Sequence, residues 1–159
     1  MKELNEMISL RLLDCDRTDI QAIASRLFVR ESDIYRFTIS FFLNRFSCLL
    51  DPSCTGSDLL LPLCEIRAEI NHTLGLKKIQ LEKIINGNIL DADKYVAMSD
   101  VELLLMPQRN LRQRLSKLME VSTSSVDVEE CLKDYLIAKY NLYPAKILGT
   151  YPVIVDAVN

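Results

Sequence analysis

The sequence predicts a mainly α-helical chain. Its first fifty residues hold one β-strand and two helices intertwined with a second copy, and a small helical domain follows over residues 58–159. Three observations predict it. Residues 7–13, Met-Ile-Ser-Leu-Arg-Leu-Leu, alternate apolar and polar for most of their length, the period of a half-buried strand. Elsewhere the apolar residues recur at the three-and-four spacing of amphipathic helices. One stretch alone is dense in turn formers, Leu50-Asp51-Pro52-Ser53-Cys54-Thr55-Gly56-Ser57, which makes residues 51–57 a linker.

Each element follows from local signals. Asp14, Cys15 and Asp16 break the alternation, and Thr18 or Asp19 can cap a helix of about three turns carrying Ile20, Ile23, Ala24 and Leu27. Phe28-Val29-Arg30-Glu31 reads as a tight connection, and Ser32 or Asp33 opens a second helix. Ile34, Phe37, Ile39, Phe41, Phe42, Leu43 and Phe46 make that helix apolar on more than one side. A fifty-residue segment cannot bury such a helix, and a lone strand cannot satisfy its own backbone. Both demands point to a homodimer. Beyond the linker, Ser57 or Asp58 starts a third helix with the stripe Leu60, Leu63, Cys64, Ile66, Ile70 and Leu74, which Gly75 stops. A fourth covers residues 76–85. A fifth run, 101–106, is interrupted or restarted by Pro107 and continued by Leu111, Leu115, Leu118 and Met119. A last helix presents Val128, Cys131, Leu132, Tyr135, Leu136 and Ala138 to the core. Residues 151–158, with Pro152, read as an edge strand or extended arm.

Composition removes several functions. The chain has 159 residues, 19 Lys+Arg against 22 Asp+Glu, and a single histidine, His72. One histidine argues against His-paired zinc sites and phosphorelays. The five cysteines, Cys15, Cys48, Cys54, Cys64 and Cys131, contain no CxxC pair, and the expectation is reduced, buried thiols. Asp91-Ala92-Asp93 lacks the Gly and Glu that would complete a calcium loop. No nucleophile, acid–base pair or phosphate loop stands out, so no catalytic residue, metal or cofactor is expected and the chain is not expected to be an enzyme; clustered carboxylates from Glu65, Glu69 or Asp100 would reopen that question. No apolar run approaches the roughly 20 residues of a membrane span, and no secretory signal is read at residues 1–5; a soluble, cytoplasmic protein is expected. Residues 1–50 carry seven basic and seven acidic groups, and the remainder is acidic.

Strand, short helix, tight turn and long helix within fifty residues resemble the ribbon-helix-helix family of bacterial DNA-binding regulators. The residues that carry the resemblance are Ile8-Ser9-Leu10-Arg11-Leu12 and Val29-Arg30-Glu31-Ser32-Asp33-Ile34-Tyr35-Arg36, and it covers residues 6–50 only. It implies a homodimeric transcriptional regulator, such as a repressor, that reads the major groove of double-stranded DNA with a two-stranded β-ribbon. Met7, Ser9 and Arg11 would then face the bases, with Arg11 donating to guanine, while Ile8, Leu10 and Leu12 face the helices. The backbone at Glu31, Ser32 and Asp33, helped by Arg30, would hold a DNA phosphate at the start of the second helix. Two positions depart from the family pattern: Phe28 stands where a glycine usually closes the first helix, and Glu31 stands at an often basic position. Arg36 has an alternative as an intramolecular partner of Asp33. Arg109, Arg112, Arg114 and Lys117 form a second basic cluster that would extend a phosphate-contacting surface. The alternative function is a protein-interaction or antitoxin-like module in which the N-terminal fold serves only dimerisation and the C-terminal domain holds a protein partner or effector.

Overall fold

The structure is a computed structural model, and it describes residues 7–120 and 127–142. The described residues form helices, short 3-10 turns and irregular segments, and no strand occurs among them. The expected ribbon-helix-helix fold is therefore overturned. Residues 7–13 form neither strand nor helix, and all seven are exposed, so their alternation sorts no buried face from a wet one. The physical reason is that period two specifies only a strand-competent segment. A strand exists when a second backbone satisfies its N–H and C=O groups, and no ladder is formed here. The tail expected at residues 151–158 lies outside the described residues.

Two compact units divide the chain, Met1–Asn44 and Arg45–Asn159. In the first, α1 spans Asp14–Leu27. It begins earlier than the sequence suggests because Asp14 and Asp16, read as turn formers, sit in the first turn, where carboxylates favour the positive end of the helix dipole. The Thr18 hydroxyl donates to the Asp14 carbonyl at 2.8 Å. At the other end Phe28 adopts a left-handed conformation, φ 55°. The Phe28 and Val29 amides donate back to Ser25 and Ala24 carbonyls at 3.3 and 3.0 Å. These two bonds close the helix in the manner usually given to glycine, and a left-handed non-glycine residue costs roughly 1–2 kcal/mol. Helix α2, Glu31–Arg45, starts where the Asp33 carboxylate turns back to accept from the Arg30 amide at 3.3 Å.

The second unit carries the core. The third helix expected as one piece is two, α3 (Leu60–Glu65) and α4 (Arg67–His72), broken at Ile66, which leaves helical geometry. The break goes with an inward Arg67, whose guanidinium donates to both Glu129 carboxylate oxygens and to the Met106 carbonyl. Helices α5 (Lys78–Asn86), α6 (Met98–Leu105), α7 (Gln108–Met119) and α8 (Val128–Tyr140) complete the unit. Pro107 separates α6 from α7, and Gly75, at φ 60°, follows the turn that ends α4. Helix α8 packs on α3 and α7, and α6 packs on α4 and α5. Leu60, Ile70, Leu81, Ile85, Leu104, Leu115, Leu132 and Leu136 are fully enclosed between them. Gly56 holds φ 59° beside the Lys94 backbone, and a β-carbon there would stand 2.1 Å from the Lys94 carbonyl oxygen. This position admits only glycine. No described helix is long and apolar enough to cross a membrane.

Candidate functional site

Three features of the surface carry chemistry. The first is the apolar N-terminal unit. Helix α2 buries none of its fifteen residues, although its composition is that of a core helix. Phe37 and Phe41, one turn apart, stack on each other at 6.0 Å between centroids, and Phe37 is still 65% exposed. Ile39 and Leu43 are also exposed, as are Ile23 and Leu27 of α1, and Phe28 at the corner is 96% exposed. Met7, Ser9 and Arg11 lie on the exposed segment before α1. The base-reading face assigned to them assumed the ribbon, and that geometry goes with it.

The start of α2 is electrostatically occupied by its own side chains. Arg30 Nε and Nη2 each donate to Asp33 at 3.1 Å, and Arg36 reaches the same carboxylate at 3.7 Å. The hydrogen bonds from Arg30 hold the Asp33 carboxyl below the usual carboxylate range and raise the Arg30 guanidinium in turn. Asp33 thus engages the Arg30 amide and guanidinium, the side chain expected to help hold a phosphate. Glu31, half-buried, and Ser32, exposed, lie beside it.

The second feature is α7. Leu111 and Leu115 bury its inner side, and its outer side presents Arg109, Arg114 and Lys117, exposed and with no carboxylate partner among the described residues; Arg112 is half-buried. The third is a cavity of about 580 Å³ lined by Cys48, Cys54, Asp58, Lys94 and Tyr140, among others. Lys94 Nζ binds Asp58 Oδ2 at 2.5 Å on its wall. Behind Tyr140 lies a buried polar cluster. Asp100, 1% exposed, accepts from the hydroxyls of Tyr135 at 3.0 Å and Tyr140 at 2.5 Å, and pairs with Lys139 at 2.7 Å. The Tyr140 oxygen also accepts from the Ala97 amide at 3.0 Å. The bond to Asp100 raises Lys139, and burial followed by Asp100 pushes Tyr140 up to about 12.

The sequence reading did not find this cluster or the cavity. Asp100 stood there only as one of three carboxylates, and Glu65 and Glu69 do not join it: Glu65 pairs with Arg45 at 2.9 Å. The available signal was Tyr135, Lys139 and Tyr140, spaced four and one along α8, one polar arc on a helix whose other side is core. The thiols also divide. Cys64 and Cys131 are buried, as expected of all five, but Cys15 is exposed and Cys48 and Cys54 are half-buried. Asp91, from the calcium-like fragment, caps a 3-10 turn by accepting from the Asp93 amide at 3.0 Å. His72 ends α4, exposed. Among the described residues no three His, Cys, Asp or Glu side chains converge as metal ligands do. Comparison with protein-family models, curated proteins and solved structures returns no match.

Proposed function

We propose that this chain is a self-associating interaction module whose N-terminal helical unit docks on the same unit of a second copy. The observation that carries the reading is a fifteen-residue helix with core composition and no buried residue. Large exposed apolar surface marks interaction sites in soluble chains. A unit of this size, Met1–Asn44, is near the limit below which oligomerisation commonly supplies the missing core. Charge favours an identical partner. Met1–Asn44 holds six basic and seven acidic groups, so two copies meet with little net repulsion. Helix α1 carries Asp14, Asp16 and Asp19 against Arg17 in its first two turns and ends with Arg26, so its acidic start meets a basic end when two copies run antiparallel.

The test is the mass of the full chain in solution, measured by sedimentation velocity across micromolar concentrations, for the wild type and for the double variant Phe37→Glu/Phe41→Glu. A concentration-dependent species of twice the chain mass is expected. A central aromatic contact contributes at least about 2 kcal/mol, so each substitution should weaken the dimer about 30-fold or more while helicity is retained. A wild type that stays monomeric at 100 μM with full helicity overturns the reading. A second reading, binding of double-stranded DNA, is favoured by one observation: Arg109, Arg114 and Lys117 stand exposed on one helix without carboxylate partners among the described residues.

A further inference from the structure

Cys48 and Cys54 are six residues apart, and local structure folds them together. Cys48 sits in the 3-10 turn Ser47–Leu49. The chain then reverses through Asp51, whose carboxylate accepts from the Ser53 amide at 2.8 Å and whose carbonyl accepts from the Cys54 amide at 3.0 Å. Thr55 and Asp58 open the next turn, and the Cys48 thiol donates to the Asp58 carbonyl at 3.6 Å. Both cysteines consequently line the same cavity of about 580 Å³. The Lys94 ammonium on the same wall is paired with the Asp58 carboxylate at 2.5 Å. The two thiols are half-buried and face a space large enough for a small molecule, unlike Cys64 and Cys131, which are enclosed in the core.

We propose that Cys48 and Cys54 form a redox-active dithiol that exchanges, through this cavity, with low-molecular-weight disulfides. The geometry assigns different tasks to the two sulfurs. With the Cys48 S–H held by the Asp58 carbonyl, Cys54 is the sulfur left to attack first. As thiolate, its proton released to water, it attacks one sulfur of the incoming disulfide. The Cys54–sulfur bond forms, the disulfide bond breaks, and one thiolate leaves and takes a proton from water. Cys48 then loses its proton to water and attacks Cys54 Sγ, forming the Cys48–Cys54 disulfide and expelling the second thiolate. In sum, two protein thiols are oxidised and one small disulfide is reduced to two thiols. Burial, then the neighbouring Cys54, pushes the Cys48 thiol up to about 12, so the second step is the slower and the mixed disulfide on Cys54 accumulates before it resolves.

Glutathione disulfide is the probe, used on the folded 159-residue chain with exposed Cys15 replaced by Ser, and the products are read by intact mass and peptide mapping over time. The expected record is a single glutathione adduct on Cys54 that gives way to a Cys48–Cys54 disulfide. With Cys48→Ser added, the adduct should persist. With Cys54→Ser instead, modification should slow at least tenfold. Peptide mapping of the parent needs no cavity variant and decides the matter alone: absence of a Cys48–Cys54 disulfide after exhaustive treatment overturns the proposal. So does adduct formation at Cys48 and Cys54 at equal rates.

Discussion

At the residue scale, Asp100 is the side chain on which most depends. It is a carboxylate almost without solvent contact, held by two phenol hydroxyls and an ammonium, all three on α8. Such a group is tolerated inside a protein only because its lone pairs are satisfied. Asp100→Asn keeps the shape but removes the charge, and should cost about 1–3 kcal/mol at neutral pH, read as a lower urea midpoint. The pH dependence has a definite sign. Lys139 and Tyr140 are both raised in the native state, Tyr140 to about 12, so the folded chain holds these protons to higher pH than the unfolded chain does. Stability is therefore intact below about pH 10 and falls as pH climbs through the folded values. Urea midpoints taken from pH 8 to 12 should fall steeply for the wild type and less steeply for Asp100→Asn, with burial of Tyr140 leaving a residual slope. Parallel curves would contradict this assignment. None of this was legible beforehand. Asp100 and its partners are 35 to 40 residues apart, and a pattern scan sees each only against its own helix.

Elements were more readable than sites, for a reason visible in the elements themselves. Helix α7 shows its inner stripe at Leu111 and Leu115, four apart, and both are fully buried. Helix α8 likewise encloses Val128, Cys131, Leu132 and Leu136. For these helices spacing finds most of the inner stripe, leaving Leu118 and Ala138 exposed, because a helix satisfies its backbone internally and needs only one apolar side. Residues 7–13 fail for the converse reason: their alternation is real, but the hydrogen bonds that would make a strand belong to another segment. The start of α1 was misplaced because aspartate serves turns and first helical turns equally well. The continuous third helix was misplaced because nothing in the stripe from Leu60 to Leu74 marks the break at Ile66. The outer side of α7 carries its own prediction. If Arg109, Arg114 and Lys117 meet about three phosphates, duplex DNA affinity measured by anisotropy should fall with a log–log salt slope of about −3, and Arg109→Glu/Arg114→Glu should abolish it. No binding by the wild type at about one-tenth of physiological ionic strength would remove the DNA reading and leave self-association untouched.

At the scale of the whole molecule, the two units differ in kind. The described residues from Arg45 onward enclose a contiguous apolar core, whereas the described residues before it enclose almost nothing: Ala24 is the one buried apolar residue in α1, and α2 has none. Local stability follows buried contact, so the units should open independently. Amide hydrogen exchange of the full chain is expected to show strong protection at Leu81, Leu104, Leu115 and Leu132 at every concentration. Amides of α2 should exchange rapidly in dilute solution and become protected as protein concentration rises, because a partner that binds only the folded unit stabilises it by mass action. Strong protection of α2 in dilute solution would show that the unit stands by itself.

Gly56 has a consequence for how this chain can change over generations. With its backbone bent to the left-handed side and the Lys94 carbonyl oxygen where a methyl group would sit, no other amino acid fits without displacing the strap that carries Lys94. A library encoding all twenty residues at codon 56, sorted for soluble protein, should collapse to a single survivor. Drift in this part of the gene is then channelled around one fixed letter.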